Sequence, residues 1–177
     1  MRIVGGALRN RLVKVPKRGV RPTKGIVRGA IFNIIGDRIV NADVLDLFAG
    51  SGVLGIEAIS RGAKQCVFVD KNPRTLRANI EHLGLKKGTT ILAQDYRTAL
   101  RSMRSRQFDL ILADPPYERN LVQRTIDSIK RNGLLRKNGV FMIEHSPREQ
   151  MIIPEDFLQY KERRYGDTMI TFLKTQK

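Results

Sequence analysis

Short apolar segments alternate with segments of helical spacing through most of this 177-residue chain, and this alternation limits the fold more than any other feature. The apolar segments have the length and residue types of buried strands, and they lie at residues 44–48, 66–69, 90–93, 108–113 and 140–144. The helical segments lie between them, at residues 53–61, 73–83, 96–103 and 120–132. Because crossover helices join consecutive parallel strands, we predict an α/β fold with a mostly parallel sheet and helices on both faces.

Both ends of the chain depart from this alternation. Near the C-terminus, residues 160–165 and 168–174 have no helix between them, a pattern typical of an antiparallel hairpin that brings the sheet to seven strands. Near the N-terminus, residues 3–15 predict a small β element that ends at Pro16. Thr23 is then a suitable N-cap for a helix that Gly36 would end.

Positive charge is concentrated at the start of the chain. The formal net charge is +16 and the pI is about 10.7, a balance that attracts polyanions. Residues 1–38 hold ten Lys or Arg side chains against Asp37 alone, which predicts a nucleic-acid partner, with a merely solvated surface as the alternative. We therefore divide the chain into a basic extension at residues 1–40 and a larger domain at residues 41–177. The predicted nucleic-acid contacts are Arg9, Arg11, Lys14, Lys17, Arg18, Arg21, Lys24 and Arg28.

Cysteine usage and hydropathy limit the cellular compartments in which this protein is expected. The single cysteine, Cys66, excludes a disulfide framework and a cysteine metal site, and its apolar neighbours predict a core thiol. No segment approaches the roughly 20 apolar residues that cross a bilayer, and the first residues lack a signal-peptide core. We expect a cytoplasmic protein. No metal is expected, since the lone His82 has no ligands near it in the sequence.

The sequence Asp114-Pro115-Pro116-Tyr117 directly follows a predicted strand. Proline lacks the backbone N–H and holds the preceding residue in extended geometry, so the strand should end here. Open α/β sheets bind their ligands at the carboxyl ends of strands. A carboxylate, two rigid prolines and an aromatic ring suit the methylation of a planar amine; a plain strand-ending turn is the alternative.

The segment from Asp46 to Gly55 leads from the first strand of the sheet into its first helix. Gly50, Gly52 and Gly55 match the dinucleotide fingerprint, which leaves a dinucleotide and S-adenosylmethionine open as cofactors. The carboxylate of Asp46 would repel a pyrophosphate but suits the sulfonium and ammonium charges of S-adenosylmethionine, which favours the methyl donor. The predicted cofactor contacts are Asp46, Phe48, Ala49, Gly50, Ser51, Gly52, Gly55, Asp70, Lys71, Asp95 and Tyr96.

Several of these residues have a second interpretation. Asp70 is placed to bind ribose hydroxyls. Asp95 could accept from an adenine amine or cap the helix that begins at Tyr96. His145 follows the fifth strand at the same sheet edge as Asp114, so it could contact substrate or serve only the structure. Glu57 and Arg61, one turn apart, predict a surface ion pair or local packing.

Motifs along nearly the whole chain resemble those of one family. They are Arg21-Pro22-Thr23, Arg28, Ala30-Ile31-Phe32-Asn33, Asp46-Leu47-Phe48-Ala49-Gly50-Ser51-Gly52, Leu54-Gly55, Glu57-Ala58, Ser60-Arg61-Gly62-Ala63 and Asp114-Pro115-Pro116-Tyr117. In this order they resemble the bacterial small-subunit ribosomal RNA guanine-N2 methyltransferases of the RsmD family. The chain departs from the family at Gly29, where a glutamate is common, and at Asp70, where glutamate is more usual.

The resemblance implies a Rossmann-like class I methyltransferase fold, S-adenosylmethionine as cofactor and 16S rRNA or the small ribosomal particle as substrate. The implied activity is that of a 16S rRNA (guanine(966)-N2)-methyltransferase. Asp114 and the Pro115 carbonyl would accept the amine N–H bonds, and Tyr117 would stack on the base, so residues 114–117 are the predicted catalytic residues. Alternatives are an adenine-N6 or glutamine-N5 methyltransferase, a nucleotide-dependent oxidoreductase and a non-catalytic RNA-binding assembly factor.

Overall fold

A seven-stranded sheet forms the centre of the computed structural model, which describes residues 1–16, 25–116 and 120–176. Its strands are β1 (Asp43–Leu47), β2 (Gln65–Val69), β3 (Thr89–Leu92), β4 (Phe108–Ala113), β5 (Leu135–His145), β6 (Phe157–Tyr165) and β7 (Thr168–Thr175). The helices are α1 (Gly25–Ile35), α2 (Val53–Ser60), α3 (Arg74–His82), α4 (Tyr96–Ser102) and α5 (Leu121–Arg131), with a 3-10 turn at Gly36–Ile39. No described helix is long and apolar enough to cross a membrane.

The strand order is β3-β2-β1-β4-β5-β7-β6. The first five strands in this order pair in parallel, whereas β7 is antiparallel to both β5 and β6. This arrangement confirms the predicted α/β fold with its C-terminal antiparallel hairpin. The strand order reverses between β1 and β4, and the crevice beyond the carboxyl ends of such a pair is where open α/β sheets bind ligands.

Two strands begin well before the predicted residue, whereas the other five begin within one residue of it. β5 begins at Leu135 instead of residue 140, because polar residues and a left-handed Asn138 (φ +64°) interrupt its apolar pattern. The pairing of β4 with β5 shifts register across this interruption. β6 begins at Phe157 instead of residue 160, since most of its side chains are exposed and its sequence is correspondingly polar.

Helices cover both faces of the sheet. One apolar core joins β-strand side chains to α1, α2 and α3, and the other joins the opposite faces of the strands to α4 and α5. Ile3 and Val13 are buried in the first core, so the start of the chain packs against the sheet layer. The predicted β element there is a single antiparallel bridge between Arg2 and Leu12.

The N-terminal segment also contacts the end of α2 through its backbone. The Ala7 N–H donates to the Ser60 carbonyl oxygen at 2.7 Å, and the Leu8 N–H donates to Ser60 Oγ at 2.9 Å. A Cβ at Gly6 (φ +73°) would lie 1.8 Å from the same carbonyl oxygen, so only glycine allows this approach. The turn of the segment is therefore fitted against the last residue of a helix of the sheet layer.

The helix predicted upstream of Gly36 is confirmed as α1, although its proposed cap, Thr23, lies outside the described residues. Gly36 adopts φ +60° and ends the α-helix, but the chain continues as a 3-10 turn before β1. Around Gly29 nothing lies within 4 Å of a possible Cβ, so packing does not require glycine at that position.

Candidate active site

Asp114 directly follows β4, which ends at Ala113 as predicted. Leu47 at the end of β1 pairs with Ala113, so the loops that follow these two neighbouring strands begin side by side. Pro115 is buried, Pro116 is exposed, and Tyr117 lies outside the described residues. The carboxylate of the predicted catalytic sequence therefore emerges beside the glycine loop.

Two acidic side chains, Glu144 and Asp46, act electrostatically on Asp114 at this edge of the sheet. Burial raises the pKa of Asp114 well above its usual range, and the negative charges of Glu144 and Asp46 raise it further. Burial also raises the pKa of Asp46 to about 7, against the hydrogen bond from Gly55, which lowers it. A cationic ligand at this edge would favour the ionised forms of these carboxyl groups.

Glu144 was not among the predicted site residues. It is 6% exposed and ends the otherwise apolar run 140–143 of β5. An acidic residue at the end of a buried strand is the sequence signal that identifies it in retrospect. Among the residues that the structure describes, no group of three or more His, Cys, Asp or Glu side chains is arranged to hold a metal ion.

Asp46 is 1% exposed, and its Oδ2 accepts a hydrogen bond from the Gly55 N–H at 2.9 Å. This bond fastens the first turn of α2 to the end of β1. The side chain therefore helps to hold the glycine loop in shape. Its predicted contact with the charged groups of a cofactor stays a prediction.

The three glycines of the loop have different structural roles. A Cβ on Gly52 would lie 2.4 Å from Leu76 Cδ1, and a Cβ on Gly55 would lie 2.3 Å from Phe68 Cε1. These two positions require glycine because neighbouring side chains fill the space. At Gly50 (φ +56°) the nearest atom to a possible Cβ is 3.9 Å away. Of the three, only Gly50 has open space at its Cβ position, and the predicted cofactor contacts of all three glycines stay predictions.

Asp70 contacts the loop at this open position. Its Oδ2 accepts a hydrogen bond from the Gly50 N–H at 2.7 Å, and its Oδ1 accepts one from the Asn72 N–H at 2.8 Å. The neighbouring Ala49 N–H donates to the Val69 carbonyl at 3.0 Å. The loop after β1 and the loop after β2 are thus joined, which brings the predicted ribose-binding carboxylate against Gly50.

Phe48 adopts a left-handed backbone conformation with φ +60°. This conformation is rare for a bulky residue and costs about 1–3 kcal/mol, and strain of this kind concentrates at functional sites. The Phe48 ring lies 5.0 Å from the ring of Tyr96, with a 46° tilt between them. Tyr96 is buried, and this burial raises its pKa. The aromatic pair therefore links the loop after β1 to the start of α4.

Asp95 is the N-cap of α4, because its Oδ1 accepts a hydrogen bond from the Arg97 N–H at 2.9 Å. Its Oδ2 lies 3.1 Å from Nζ of the exposed Lys71. Burial acts to raise the pKa of Asp95, but hydrogen bonds from Arg97 and Lys71 outweigh it and hold the pKa at about 2. The helix-cap interpretation is confirmed, while the adenine contact stays a prediction.

The predicted RNA-contacting residues divide into three groups. Arg9, Arg11 and Lys14 are exposed on the N-terminal segment, which we call the basic arm (residues 1–16). Arg28 is 1% exposed in α1, which corrects its predicted place on an RNA surface. The remaining four lie outside the described residues and are Lys17, Arg18, Arg21 and Lys24.

Arg28 belongs instead to a buried charge cluster around Glu57. Glu57 is 0% exposed, and its Oε2 lies 3.8 Å from Arg28 Nε. Its Oε1 accepts from Arg61 Nε at 2.8 Å, and Oε2 accepts from the Val4 N–H at 2.9 Å. Arg28 also donates to the Arg2 carbonyl oxygen. The ion pair between Glu57 and Arg61 is therefore confirmed, but as local packing and not on the surface: Glu57 is buried and fastens the basic arm to α2.

His145 is 4% exposed, and both of its ring nitrogens have protein partners. Nδ1 lies 2.9 Å from the Ser146 carbonyl oxygen, and Nε2 lies 2.8 Å from Thr171 Oγ1. A direct hydrogen bond to substrate would have to replace one of these contacts. Cys66 is buried as predicted, and burial raises the pKa of its thiol.

A family model and several curated proteins match this chain over nearly its whole length. The family model described as conserved hypothetical protein 95 matches residues 1–174. Ribosomal RNA small subunit methyltransferase D of Escherichia coli (strain K12) is 31% identical over 169 residues, which cover 94% of this chain and 85% of that protein. The protein of the same name from Buchnera aphidicola subsp. Acyrthosiphon pisum is 33% identical, over 91% of this chain and 86% of its own.

Solved structures give the same picture. The yhhF protein of Escherichia coli superposes with a TM-score of 0.88 at 26% identity, covering 100% of this chain and 98% of that one. The hypothetical protein TTHA0928 of Thermus thermophilus superposes with a TM-score of 0.85 at 27% identity, covering 99% of both chains. The described fold is therefore shared over essentially its full length.

Proposed function

The chain belongs to the RsmD family, and from that membership we propose that it is an enzyme that transfers a methyl group from S-adenosylmethionine to small-subunit ribosomal RNA. The finer proposal is that the acceptor is the N2 amine of guanine 966 in 16S rRNA. Homologues that carry the name of a ribosomal RNA methyltransferase support methyl transfer to small-subunit ribosomal RNA. The choice of guanine as the base is supported by the family resemblance alone.

One observation carries the proposal. The pairing of Leu47 with Ala113 brings Asp114 beside the loop of Gly50, at the point where the strand order of the sheet reverses. We infer that Asp114, as an acceptor for amine hydrogens, and the open glycine loop serve one site at this edge of the sheet. This is the arrangement that transfer of a methyl group from a bound donor to an exocyclic amine requires.

The residues at this edge fit S-adenosylmethionine better than a dinucleotide. Burial, with a smaller contribution from neighbouring carboxylates, raises the pKa values of Asp46 and Asp114, and a bound sulfonium or ammonium would favour their ionised forms, whereas a pyrophosphate would oppose them. Gly50 leaves room for the ligand, and Asp70 is the residue that would hold its ribose. When bound, the cofactor supplies an already activated methyl group.

The protein contributes mainly positioning. A guanine amine is a weak nucleophile because its lone pair is delocalised into the ring. As a carboxylate, Asp114 would accept one N–H bond and the Pro115 carbonyl the other, which favours the pyramidal amine with its lone pair free. Tyr117 would stack on the extruded base. The cationic cofactor would also favour the ionised form of Asp114, since it offsets the neighbouring negative charge.

A labelling experiment tests the function directly. Unmodified small-subunit RNA and small ribosomal particles are incubated with the protein and a tritiated methyl donor, then digested to nucleosides that are identified by mass. We expect N2-methylguanosine from at least one of the two substrates. N6-methyladenosine would contradict the guanine assignment but retain the methyltransferase. No label in either substrate, together with RNA binding, would favour a non-catalytic assembly factor.

The basic arm is proposed to hold RNA phosphates. It contains no aromatic side chain, so it should contribute affinity without base stacking. In this division residues 1–40 bind RNA and residues 41–177 transfer the methyl group. We also propose that the protein acts as a monomer in the cytoplasm.

Replacing Arg9, Arg11 and Lys14 together with alanine is expected to weaken RNA binding and flatten its salt dependence. Each lost phosphate contact should reduce the slope of log K against log salt by about 1, so the triple variant should lose about 2–3. Filter binding at several salt concentrations measures this slope. A variant with Lys87, Arg131 and Lys137 replaced is the matched control, because it removes the same charge from exposed residues of the described structure. Equal slopes in the two variants would contradict the assignment of the basic arm.

A further inference from the structure

Two segments that the proposed function assigns to different ligands meet at one side chain, Asn79 of α3. Asn79 is 0% exposed. Its Oδ1 accepts a hydrogen bond from the Lys14 N–H at 2.9 Å, and its Nδ2 donates to the Lys14 carbonyl at 2.8 Å. The same Nδ2 donates to the Ser51 carbonyl at 2.9 Å. One amide therefore fixes both the backbone of the basic arm and the backbone of the glycine loop.

The chemistry of the amide suits this double role. An asparagine has one acceptor oxygen and two N–H donors in a single plane, and here both donors are used, one for each segment. Ser51 is 6% exposed, so its carbonyl would lose a partner in a buried position if the amide were removed. The N–H and carbonyl of Lys14 would lose theirs together.

α3 contacts the glycine loop at a second point. Leu76, one turn before Asn79, occupies the space beside Gly52, where a Cβ would lie 2.4 Å from its Cδ1. The helix thus holds the loop by an apolar contact and a hydrogen bond on the same face. A displacement of the arm backbone at Lys14 would move the Asn79 amide and, with it, the Ser51 carbonyl of the loop, because the same Nδ2 donates to both.

We propose, on the basis of the function proposed above, that Asn79 is a positioning residue that couples RNA binding on the basic arm to cofactor binding at the glycine loop. RNA that restrains Lys14 also restrains Ser51 through the shared amide. The loop then loses less conformational freedom when the cofactor binds. By linkage, each ligand raises the affinity for the other by the same factor.

Calorimetry on the full chain tests the coupling. S-adenosylhomocysteine, which has no methyl group to transfer, is titrated with and without a saturating transcript of unmodified small-subunit RNA. We expect RNA to tighten this binding by about tenfold in the unaltered protein, within the usual range for coupled sites. In Asn79→Ala the ratio should fall to within about twofold of one. RNA affinity measured with and without S-adenosylhomocysteine should change by the same factors.

Two further variants separate coupling from general destabilisation. Asn79→Leu keeps a side chain of similar size without a charge and loses all three hydrogen bonds, so it should also be uncoupled, and it replaces the alanine variant if that one does not fold. Asn132→Ala is the matched control. Asn132 is also buried, but it bonds to Arg104 and Ser128, outside both ligand segments, so the tenfold coupling should remain.

Three results would overturn the inference while leaving the proposed function in place: no coupling in the unaltered protein, full coupling in both Asn79 variants, or an equal loss of coupling in Asn132→Ala. Failure of the proposed function has a different signature. The unaltered protein would then bind no S-adenosylhomocysteine or no RNA, which overturns both.

Discussion

Asp114→Ala is expected to lower methyl transfer by about 10²–10⁴-fold and to leave RNA affinity within about twofold of the unaltered protein. The alanine removes the acceptor that would hold an amine hydrogen, whereas the exposed basic side chains of the arm are untouched. Single-turnover labelling measures the loss, and filter binding measures RNA affinity. Asp109→Ala is the matched control on the same strand, because Asp109 pairs with Arg136 and lies at the start of β4, away from Asp114. Retained turnover in Asp114→Ala would remove this residue from the mechanism.

The pH dependence of methyl transfer tests the same role of Asp114. Burial and then the charge of Glu144 raise the pKa of Asp114. If the carboxylate is the active form, single-turnover rates should rise with pH as Asp114 loses its proton. Glu144→Gln removes the neighbouring negative charge and should move this rise to lower pH. A shift to higher pH, or none, would show that Asp114 does not set the profile.

Glu57→Ala is expected to lower the free energy of unfolding by about 3–5 kcal/mol, the usual cost of leaving a buried charge without its partner. Arg28 is 1% exposed and lies against this carboxylate, and burial alone already lowers its pKa. The backbone N–H of Val4 would lose its acceptor as well. Urea unfolding followed by circular dichroism measures the difference.

Glu81→Ala is the matched control for this second prediction. Glu81 also pairs with a cation, Lys86, but both side chains are about three-quarters exposed. Its replacement should leave the urea midpoint nearly unchanged, because exposed pairs contribute little. A similar loss in both variants would mean that burial of the Glu57 cluster does not matter to stability.

The sequence predicted the regular parts of the fold well, and the reason is physical. The apolar pattern and the Asp-Pro pair that follows it predict β4 at its observed bounds, because they mark both a buried strand and its end. The same pattern predicts the start of β5 five residues too late, because Asn138 and its polar neighbours interrupt the apolar run. The apolar pattern of a segment predicts the bounds of its strand only where the whole strand is buried.

The contacts between distant segments could not be predicted in the same way. Arg28 and Glu57 read as surface residues because charged side chains are rarely buried, and their burial depends on the basic arm passing over them. The separate roles of Gly50, Gly52 and Gly55 depend on which side chains of α3 and β2 reach the loop. The sequence gives no spacing rule for such contacts, because it does not show which segments meet.

The turn at Gly6 bears on how the basic arm can be studied. Ala7 and Leu8 satisfy hydrogen-bonding groups of Ser60 at the end of α2, so the arm completes that helix. A truncated chain that begins after the arm would expose those groups together with the apolar surface now covered by Ile3 and Val13. Loss of RNA binding after such a deletion would therefore be inseparable from damage to the sheet layer. The arm is also unsuited to transplantation onto a related domain that lacks a serine at the matching helix end.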